Sequence, residues 1–173
     1  MEKATFAGGC FWCTEAIFER LKGVVSVVSG YSGGEKESPK YEDVSSSSTG
    51  HAEAIQIEFD PKVISYEDLL YIFFKTHDPT QLNRQGADVG TQYRSVIFYH
   101  SDVQRKLAED TKNLIQKDHE SKVVTEILPF NNFFKGEDYH QNYYKENPNA
   151  AYCKLVIDPK ITKLTKDFKK FLK

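Results

Sequence analysis

The order of helix-like and strand-like segments in this chain predicts an α+β fold with a mostly antiparallel sheet and helices on its faces. Two observations carry this prediction. Segments of strand and helix character follow one another without the strict strand–helix alternation of a parallel sheet. Two long polar stretches, 32–50 and 78–91, interrupt them, and loops of that length within a domain are usually functional or disordered.

The first third of the chain predicts two strands around a helix. Residues 3–7 form a short strand-like run that ends at Gly8-Gly9, a pair suited to a tight strand-to-helix turn. Residues 11–21 predict a helix, and the β-branched run 24–31 predicts the second strand.

The middle third predicts two further strands and a capped helix. Residues 52–59 alternate in polarity, which places Glu53 on the same face as three apolar side chains. Ser65 is a favourable N-cap for a helix that runs to about residue 77. Residues 94–99 predict another strand.

The last third predicts more helix than strand. Residues 102–117 predict a helix and residues 123–127 a strand. A short helix is expected over 138–146, and an irregular or extended segment over 149–157. An amphipathic helix that buries its apolar face is expected after Pro159.

The length and composition indicate one globular domain, and we expect a single catalytic domain over residues 1–173. The chain contains 39 % hydrophobic and 28 % charged residues and has a net charge of −2. Because no concentrated basic surface is visible, we expect no nucleic-acid partner. The sequence contains no apolar run long enough to cross a membrane and no visible signal peptide. Three cysteines, an odd number, argue against a disulfide framework, so we expect a cytoplasmic protein.

The segment Gly9-Cys10-Phe11-Trp12-Cys13 carries the most chemical information. Cys10 lies at the start of a predicted helix, where free N–H groups and a partial positive charge favour the thiolate. The two aromatic residues that follow indicate that the sulfur attacks a partly apolar group. Cys13 completes a C-x-x-C pair and could capture an oxidised Cys10. The alternative is that Cys10 is simply a small buried hydrophobic residue.

Glu53 is the second candidate, because an acid on an apolar face is costly when ionised and unpaired. It is therefore expected to be either paired or protonated, and a protonated carboxylic acid can donate a proton. Tyr41 and Tyr93 lie in or beside the polar loops, from which their hydroxyls could hold an oxygen atom.

A structural zinc site is an alternative use of the C-x-x-C pair. Four ligands would require Cys153 and a histidine such as His140 or His51 from distant parts of the chain. Because the sequence has no second closely spaced pair, we expect neither a metal nor another cofactor.

The chain as a whole resembles the peptide methionine sulfoxide reductase A family. The segment Gly9-Cys10-Phe11-Trp12 is similar to the active-site signature of that family. Six further blocks resemble those of the family and occur in the same order, at residues 31–34, 39–41, 49–54, 77–80, 88–95 and 137–143. Together they cover nearly the whole chain.

This resemblance implies a ferredoxin-like α/β plait with long functional loops, and reduction of methionine-S-sulfoxide, free or in proteins. It implies that Cys10 is the nucleophile and Glu53 the proton donor. The other implied site residues are Phe11 and Trp12 for the methyl group, Tyr41 and Tyr93 for the sulfoxide oxygen, and Asp88 and His140 in less defined roles. It further implies a monomer recycled by thioredoxin or a similar dithiol.

The two other cysteines leave the recycling route open. Most family members have glycine where this chain has Cys13, whereas Cys153 resembles a late recycling cysteine preceded by one additional residue. Cys13 is held close to Cys10 but must distort the first helical turn to form a disulfide. We expect both to take part in a relay.

Two competing functions remain at this point. The chain could be a thioredoxin-like dithiol–disulfide oxidoreductase that uses Cys10 and Cys13. It could also be a protein that binds peptides containing oxidised methionine without turning them over.

Overall fold

A mixed sheet organises the protein. The computed structural model describes residues 1–173. Its strands are β1 (Glu2–Ala7), β2 (Val24–Ser32), β3 (Ala52–Phe59), β4 (Arg84–Gln85), β5 (Asp88–Val89), β6 (Val96–Tyr99), β7 (Glu126–Pro129) and β8 (Phe134–Lys135). Six of them form one sheet in the order β7-β6-β1-β3-β2-β8, while β4 and β5 form a separate hairpin. Only β6 and β7 pair in parallel, so the mostly antiparallel sheet is confirmed.

Six α-helices accompany the sheet. They are α1 (Phe11–Phe18), α2 (Tyr41–Ser45), α3 (Tyr66–Lys75), α4 (Asp102–Gln116), α5 (Tyr143–Glu146) and α6 (Asp158–Asp167). The predicted cap of α3 is present, since the Asp68 backbone N–H donates to Ser65 Oγ at 3.0 Å. No helix is long and apolar enough to cross a lipid bilayer.

The main hydrophobic core lies between one face of the sheet and the helices α1, α3, α4 and α6. Phe6 of β1 is at its centre, with its ring 4.9 Å from that of Phe73 and 5.7 Å from that of Phe18. Leu164 and Phe168 bury the apolar face of the closing helix, as the sequence predicted. The opposite sheet face is covered by loop residues such as Phe130 and Phe133 instead of a helix.

Several segments differ from the prediction. The polar stretch 32–50 contains α2, and the polar stretch 78–91 contains the β4–β5 hairpin. The strand expected over 123–127 begins only at Glu126, where pairing with β6 starts. The helix expected over 138–146 is divided by Asn142, whose φ of 54° is left-handed. The segment expected to be irregular over 149–157 is helical from residue 151 and continues through a π-helix, Cys153–Ile157, into α6, so that expectation was wrong for all but residues 149 and 150.

Strand register brings the start of β3 to the end of β1. Phe6 lies opposite Ile55 in this antiparallel pair, so the first residues of β3 extend past Ala7. Glu53 therefore reaches the turn that leads from β1 into α1.

Candidate active site

Cys10 is the N-cap of α1, as the sequence predicted. Its backbone is extended, with φ −64° and ψ 129°, and its side chain caps no N–H group. The preceding Gly9 has a φ of 92°, and a Cβ there would come within 2.8 Å of the Gln85 side chain. The turn thus requires glycine, and it holds Cys10 at a helix start while leaving the residue only 8 % exposed.

Glu53 occupies the N-terminus of the same helix. Its Oε1 accepts the Phe11 backbone N–H at 3.2 Å, and the residue is 2 % exposed. Burial raises the pKa of Glu53 to about 8, despite the lowering effect of that hydrogen bond. Of the two states expected from the sequence, paired or protonated, the protonated state is therefore the one populated at neutral pH.

Cys10 is a neutral thiol in the resting protein, which corrects the expectation of a thiolate. Burial, the neighbouring Cys13 thiol and the charge of Glu53 all raise the pKa of Cys10 well above its usual value. The Trp12 backbone N–H at the helix start lowers the pKa of Cys10, but burial outweighs it, and Glu53 accepts the neighbouring Phe11 N–H.

Cys13 behaves in the opposite way. Its interaction with the Cys10 thiol lowers the pKa of Cys13 to about 7, and Lys160 and the Tyr152 hydroxyl act in the same direction against burial. The Cys13 Sγ lies 3.6 Å from Tyr152 Oη. The contact between the two sulfur atoms thus favours ionisation of Cys13 over ionisation of Cys10.

A group of aromatic side chains lies beside Cys10. This group, which we call the aromatic wall, consists of Phe11, Trp12, His140, Tyr143 and Tyr152. Phe11 is fully buried, with its ring 4.9 Å from that of His140. Trp12 is half-buried and stacks on Tyr143 with ring centroids 3.6 Å apart and planes 7° from parallel. The predicted pair of rings is therefore part of a larger aromatic group, with Tyr152 against the edge of Trp12.

His140 is fixed in one tautomer by this wall. Trp12 Nε1–H donates to its Nδ1 at 3.0 Å, so the ring proton is on Nε2. Burial lowers the pKa of His140, which keeps the ring neutral. Its Nε2 is buried and has no protein partner.

Tyr41 and Tyr93 reach the site from two separate loops. Their side chains interact with each other, and burial together with the charge of Glu53 raises the pKa of both hydroxyls. Glu137 fixes the first loop, because its carboxylate accepts the Tyr41 backbone N–H at 3.1 Å and the Tyr31 hydroxyl at 2.9 Å. Both tyrosines therefore present protonated hydroxyls near Glu53.

Asp88 lies on the small hairpin, where its Oδ2 accepts the Tyr152 hydroxyl at 2.7 Å. Tyr152 is a site residue that the sequence reasoning missed. The only available signal was its position directly before Cys153. Cys153 itself is fully buried at the first residue of the π-helix.

The proposed zinc ligands do not come together. No three His, Cys, Asp or Glu side chains form a group that could hold a metal ion. His51 instead accepts the Gly34 backbone N–H at 3.0 Å and lies 2.7 Å from the Lys36 carbonyl oxygen. Its role is to close the polar loop before β3.

Comparison with known proteins connects this geometry to a family. The model of the family described as peptide methionine sulfoxide reductase matches residues 2–172. The peptide methionine sulfoxide reductase MsrA of Sulfolobus acidocaldarius is 58 % identical over 168 residues, which are 97 % of this chain and 96 % of the relative. Reduced Mxr1 from Saccharomyces cerevisiae has a TM-score of 0.82 and 40 % identity, with 88 % of each chain covered. The Mxr1 structure in complex with Trx2 has a TM-score of 0.58 and 30 % identity, covering 82 % of this chain and 84 % of that chain.

Proposed function

Because the chain belongs to the peptide methionine sulfoxide reductase family, we propose that it reduces methionine-S-sulfoxide, free or in proteins, through Cys10. One observation carries this proposal: the Cys10 thiol lies beside a carboxylic acid that keeps its proton at neutral pH. The sulfur of a sulfoxide becomes a good electrophile only when its oxygen is protonated during the attack. Cys10 supplies the attacking sulfur, and Glu53 supplies the proton.

In the chemical step, Glu53 gives its proton to the sulfoxide oxygen while Cys10 Sγ attacks the sulfur. The Cys10 proton passes to Glu53, whose carboxyl group interacts with the thiol. The S–S bond formed by the attack then breaks as the oxygen moves from the substrate sulfur to Cys10 Sγ, which releases methionine and leaves Cys10 as a sulfenic acid. One thiol and one sulfoxide thus yield one sulfenic acid and one thioether, and Glu53 recovers its proton.

The aromatic wall provides the substrate pocket in this proposal. Phe11 and Trp12 contact the methyl group, and the stacked Tyr143 keeps Trp12 in place. Tyr41 and Tyr93 donate hydrogen bonds to the sulfoxide oxygen, where negative charge develops. The unpartnered Nε2–H of His140 supports a role as a donor to a polar group of the substrate.

Recycling is proposed to use both remaining cysteines. Cys13, whose pKa is near neutral, attacks the Cys10 sulfenic acid, and water leaves. Cys153 then attacks the Cys10–Cys13 disulfide at Cys13, which regenerates the Cys10 thiol. The π-helix that begins at Cys153 supports this route, since such helices often mark functional segments.

Thioredoxin or a similar dithiol is the proposed final reductant. Mxr1, to which this chain is similar, was crystallised in complex with Trx2. We further propose that the chain acts as a monomer in the cytoplasm, without a nucleic-acid or membrane partner. The absence of a membrane-spanning helix is compatible with this assignment.

The ferredoxin-like plait is the proposed description of the central fold. The elements β1, α1, β2, β3, α3 and β6 follow the order strand-helix-strand-strand-helix-strand. Their strands lie side by side as β6-β1-β3-β2, all antiparallel. The main core takes residues from near both ends of the chain, which supports one catalytic domain over residues 1–173.

The decisive experiment offers the S- and R-epimers of a methionine sulfoxide peptide to the protein. Without reductant, we expect the S-epimer alone to yield methionine, stoichiometric with Cys10. With thioredoxin, thioredoxin reductase and NADPH, we expect repeated turnover. Folded Cys10→Ser, verified by circular dichroism, is expected to form none. Unchanged methionine formation in Cys10→Ser, or equal reduction of both epimers, would exclude this function.

Two alternatives make different predictions in the same assay. A thioredoxin-like oxidoreductase would reduce disulfide substrates and give no methionine. A binding protein would retain the sulfoxide peptide without converting it.

A further inference from the structure

The Tyr152 hydroxyl lies between an ionisable sulfur and a carboxylate. Its Oη is 3.6 Å from Cys13 Sγ and 2.7 Å from Asp88 Oδ2. A tyrosine hydroxyl has one proton, and the shorter contact directs it to Asp88. Towards Cys13 the same oxygen therefore accepts the S–H. The three groups form a chain from Cys13 through Tyr152 to Asp88.

We propose that Tyr152 and Asp88 are a proton relay that deprotonates Cys13 during recycling. The inference deepens the proposed function and rests on it. The Cys13 proton moves to Tyr152 Oη while the Tyr152 proton moves to Asp88 Oδ2. Cys13 Sγ bonds to Cys10 Sγ, the Cys10 S–O bond breaks, and the departing hydroxide takes the proton of Glu53, which regains one from solvent as Asp88 releases its own. One thiol and one sulfenic acid give one disulfide and one water.

Burial leaves Cys13 few routes by which to release its proton. Cys13 is only 1 % exposed, so bulk water has little access to its proton. Asp88 is half-buried on the hairpin and can exchange the proton with solvent. Trp12 borders the relay, since its ring meets that of Tyr152 edge-on at 5.6 Å. The relay thus leads from the interior at α1 to the protein surface.

Other charges around Cys13 act on the same proton. Besides Tyr152, the titratable groups that influence or are influenced by Cys13 are Cys10, Glu53, Asp88, Cys153 and Lys160. A test must therefore change the hydroxyl alone. Tyr152→Phe does so, because it keeps the ring that packs on Trp12.

The first test measures the lifetime of the Cys10 sulfenic acid after a single turnover, by rapid quenching with a dimedone reagent and mass spectrometry. At pH 7 we expect Tyr152→Phe to lengthen this lifetime by about tenfold or more, within the usual range for a lost acid–base group. The effect should shrink at pH 9, where Cys13 ionises unaided. Asp88→Asn should lengthen the lifetime in the same pH-dependent way.

The control places Tyr152→Phe in a Cys13→Ser background, where the hydroxyl has no thiol to deprotonate and the lifetime should not change further. An unchanged lifetime at pH 7 in the Cys13-containing variant would overturn the proposal. An equal lengthening at both pH values, or in the Cys13→Ser background, would overturn it as well.

A second test is independent of sulfoxide chemistry. In a Cys10→Ser, Cys153→Ser protein, Cys13 is the only thiol, and its ionisation can be followed by thiolate absorbance at 240 nm. We expect Tyr152→Phe to move the midpoint upwards by about half a pH unit or more, because the hydroxyl that accepts the S–H of the thiol donates an O–H to the thiolate once the proton has moved, and the variant loses that donor. An unmoved midpoint would overturn the relay. A shifted midpoint together with no methionine formation by the parent protein would reject the proposed function but support the Tyr152–Cys13 interaction.

Discussion

The start of α1 and the C-terminal segment around Cys153 are built in contrasting ways. The first combines a regular strand, a glycine turn and a helix, and its Cys10 and Glu53 both hold their protons at neutral pH. The second is a short helix that widens into a π-helix, and it faces Cys13, whose pKa is near 7. The contrast indicates that the two regions serve different steps. Reduction of the sulfoxide requires groups that keep their protons until the substrate binds, whereas recycling of Cys10 requires a thiol that loses its proton.

The largest effect is expected where the proton donor is removed. Glu53→Gln keeps the size of the side chain but cannot donate a proton, so methionine formation should fall by about 10²–10³-fold. In the parent, activity should decline as the pH rises through about 8, because Glu53 is protonated below its pKa and ionised above it. The variant should lose that decline.

Stopped-flow assays of methionine formation across pH 6 to 9.5 test this prediction. Glu58→Gln, on the outward-facing part of the same strand, is the matched control and should behave like the parent. If Glu53→Gln forms methionine at the parental rate, Glu53 is not the proton donor, and the proposed difference between the start of α1 and the segment around Cys153 is wrong.

The next largest effect is expected on recycling. Cys13→Ser should slow turnover with thioredoxin by about 10- to 100-fold, because the Cys10 sulfenic acid loses its nearest thiol. Disulfide mapping after one turnover should find a Cys10–Cys13 bond in Cys153→Ser and a Cys13–Cys153 bond in the parent. If Cys13→Ser and Cys153→Ser both recycle at the parental rate, the relay of cysteines is wrong.

A smaller effect is expected at the aromatic wall. Tyr143→Leu removes the ring stacked on Trp12, an interaction usually worth about 0.5–1.5 kcal/mol. Trp12 should then be less well ordered, and KM for a sulfoxide peptide should rise by roughly threefold to tenfold while kcat changes less. Tyr71→Leu, on the distant helix α3, provides the control. A fall in kcat without a change in KM would contradict a role in substrate binding.

The smallest effect on activity and a measurable effect on stability are expected at Glu15. This buried acid of α1 accepts the Ser29 hydroxyl at 2.6 Å, and burial raises its pKa to about 7. The folded protein therefore holds a proton that the unfolded chain releases above about pH 4.5. Stability should decline as the pH rises from about 4.5 to 7, and Glu15→Gln should remove part of that decline.

Urea unfolding at pH 5 and pH 8 measures this contribution, which is on the order of 2 kcal/mol for a partly screened shift of this size. Glu67→Gln, on α3, should leave the pH dependence unaltered. If the stability of Glu15→Gln declines with rising pH as much as that of the parent, Glu15 is not held protonated in the folded protein. Protonated acids would then not be a general property of the region around α1.

Sequence reasoning succeeded where local signals govern the structure. The cap at Ser65 and the limits of β3, Ala52–Phe59, follow from side-chain chemistry and alternation over a few residues. The start of β7 could not be predicted in that way, because residues 123 and 124 have other partners. The Val123 N–H donates to the Gln116 side chain at the end of α4, and the Val124 N–H donates to the carbonyl of Pro79, which is distant in sequence.

The candidate site shows the same limit. The proposed nucleophile and proton donor could be singled out from a helix start and from an acid on an apolar face. The protonation state of Cys10 depends on burial produced by the whole fold, and helix position alone suggested the opposite state. Tyr152 was missed because its partners, Cys13 and Asp88, are brought to it only by tertiary structure.

The hydrogen bond from the Phe11 backbone N–H to Glu53 has a consequence for the survival of the protein among oxidants. Peroxides attack thiolates far faster than thiols. With Glu53 at the helix start and Cys10 protonated, the resting nucleophile is a poor target for peroxide. Overoxidation to sulfinic acid should therefore be slow while no sulfoxide is bound, so that Cys10 meets oxidised methionine in its active form.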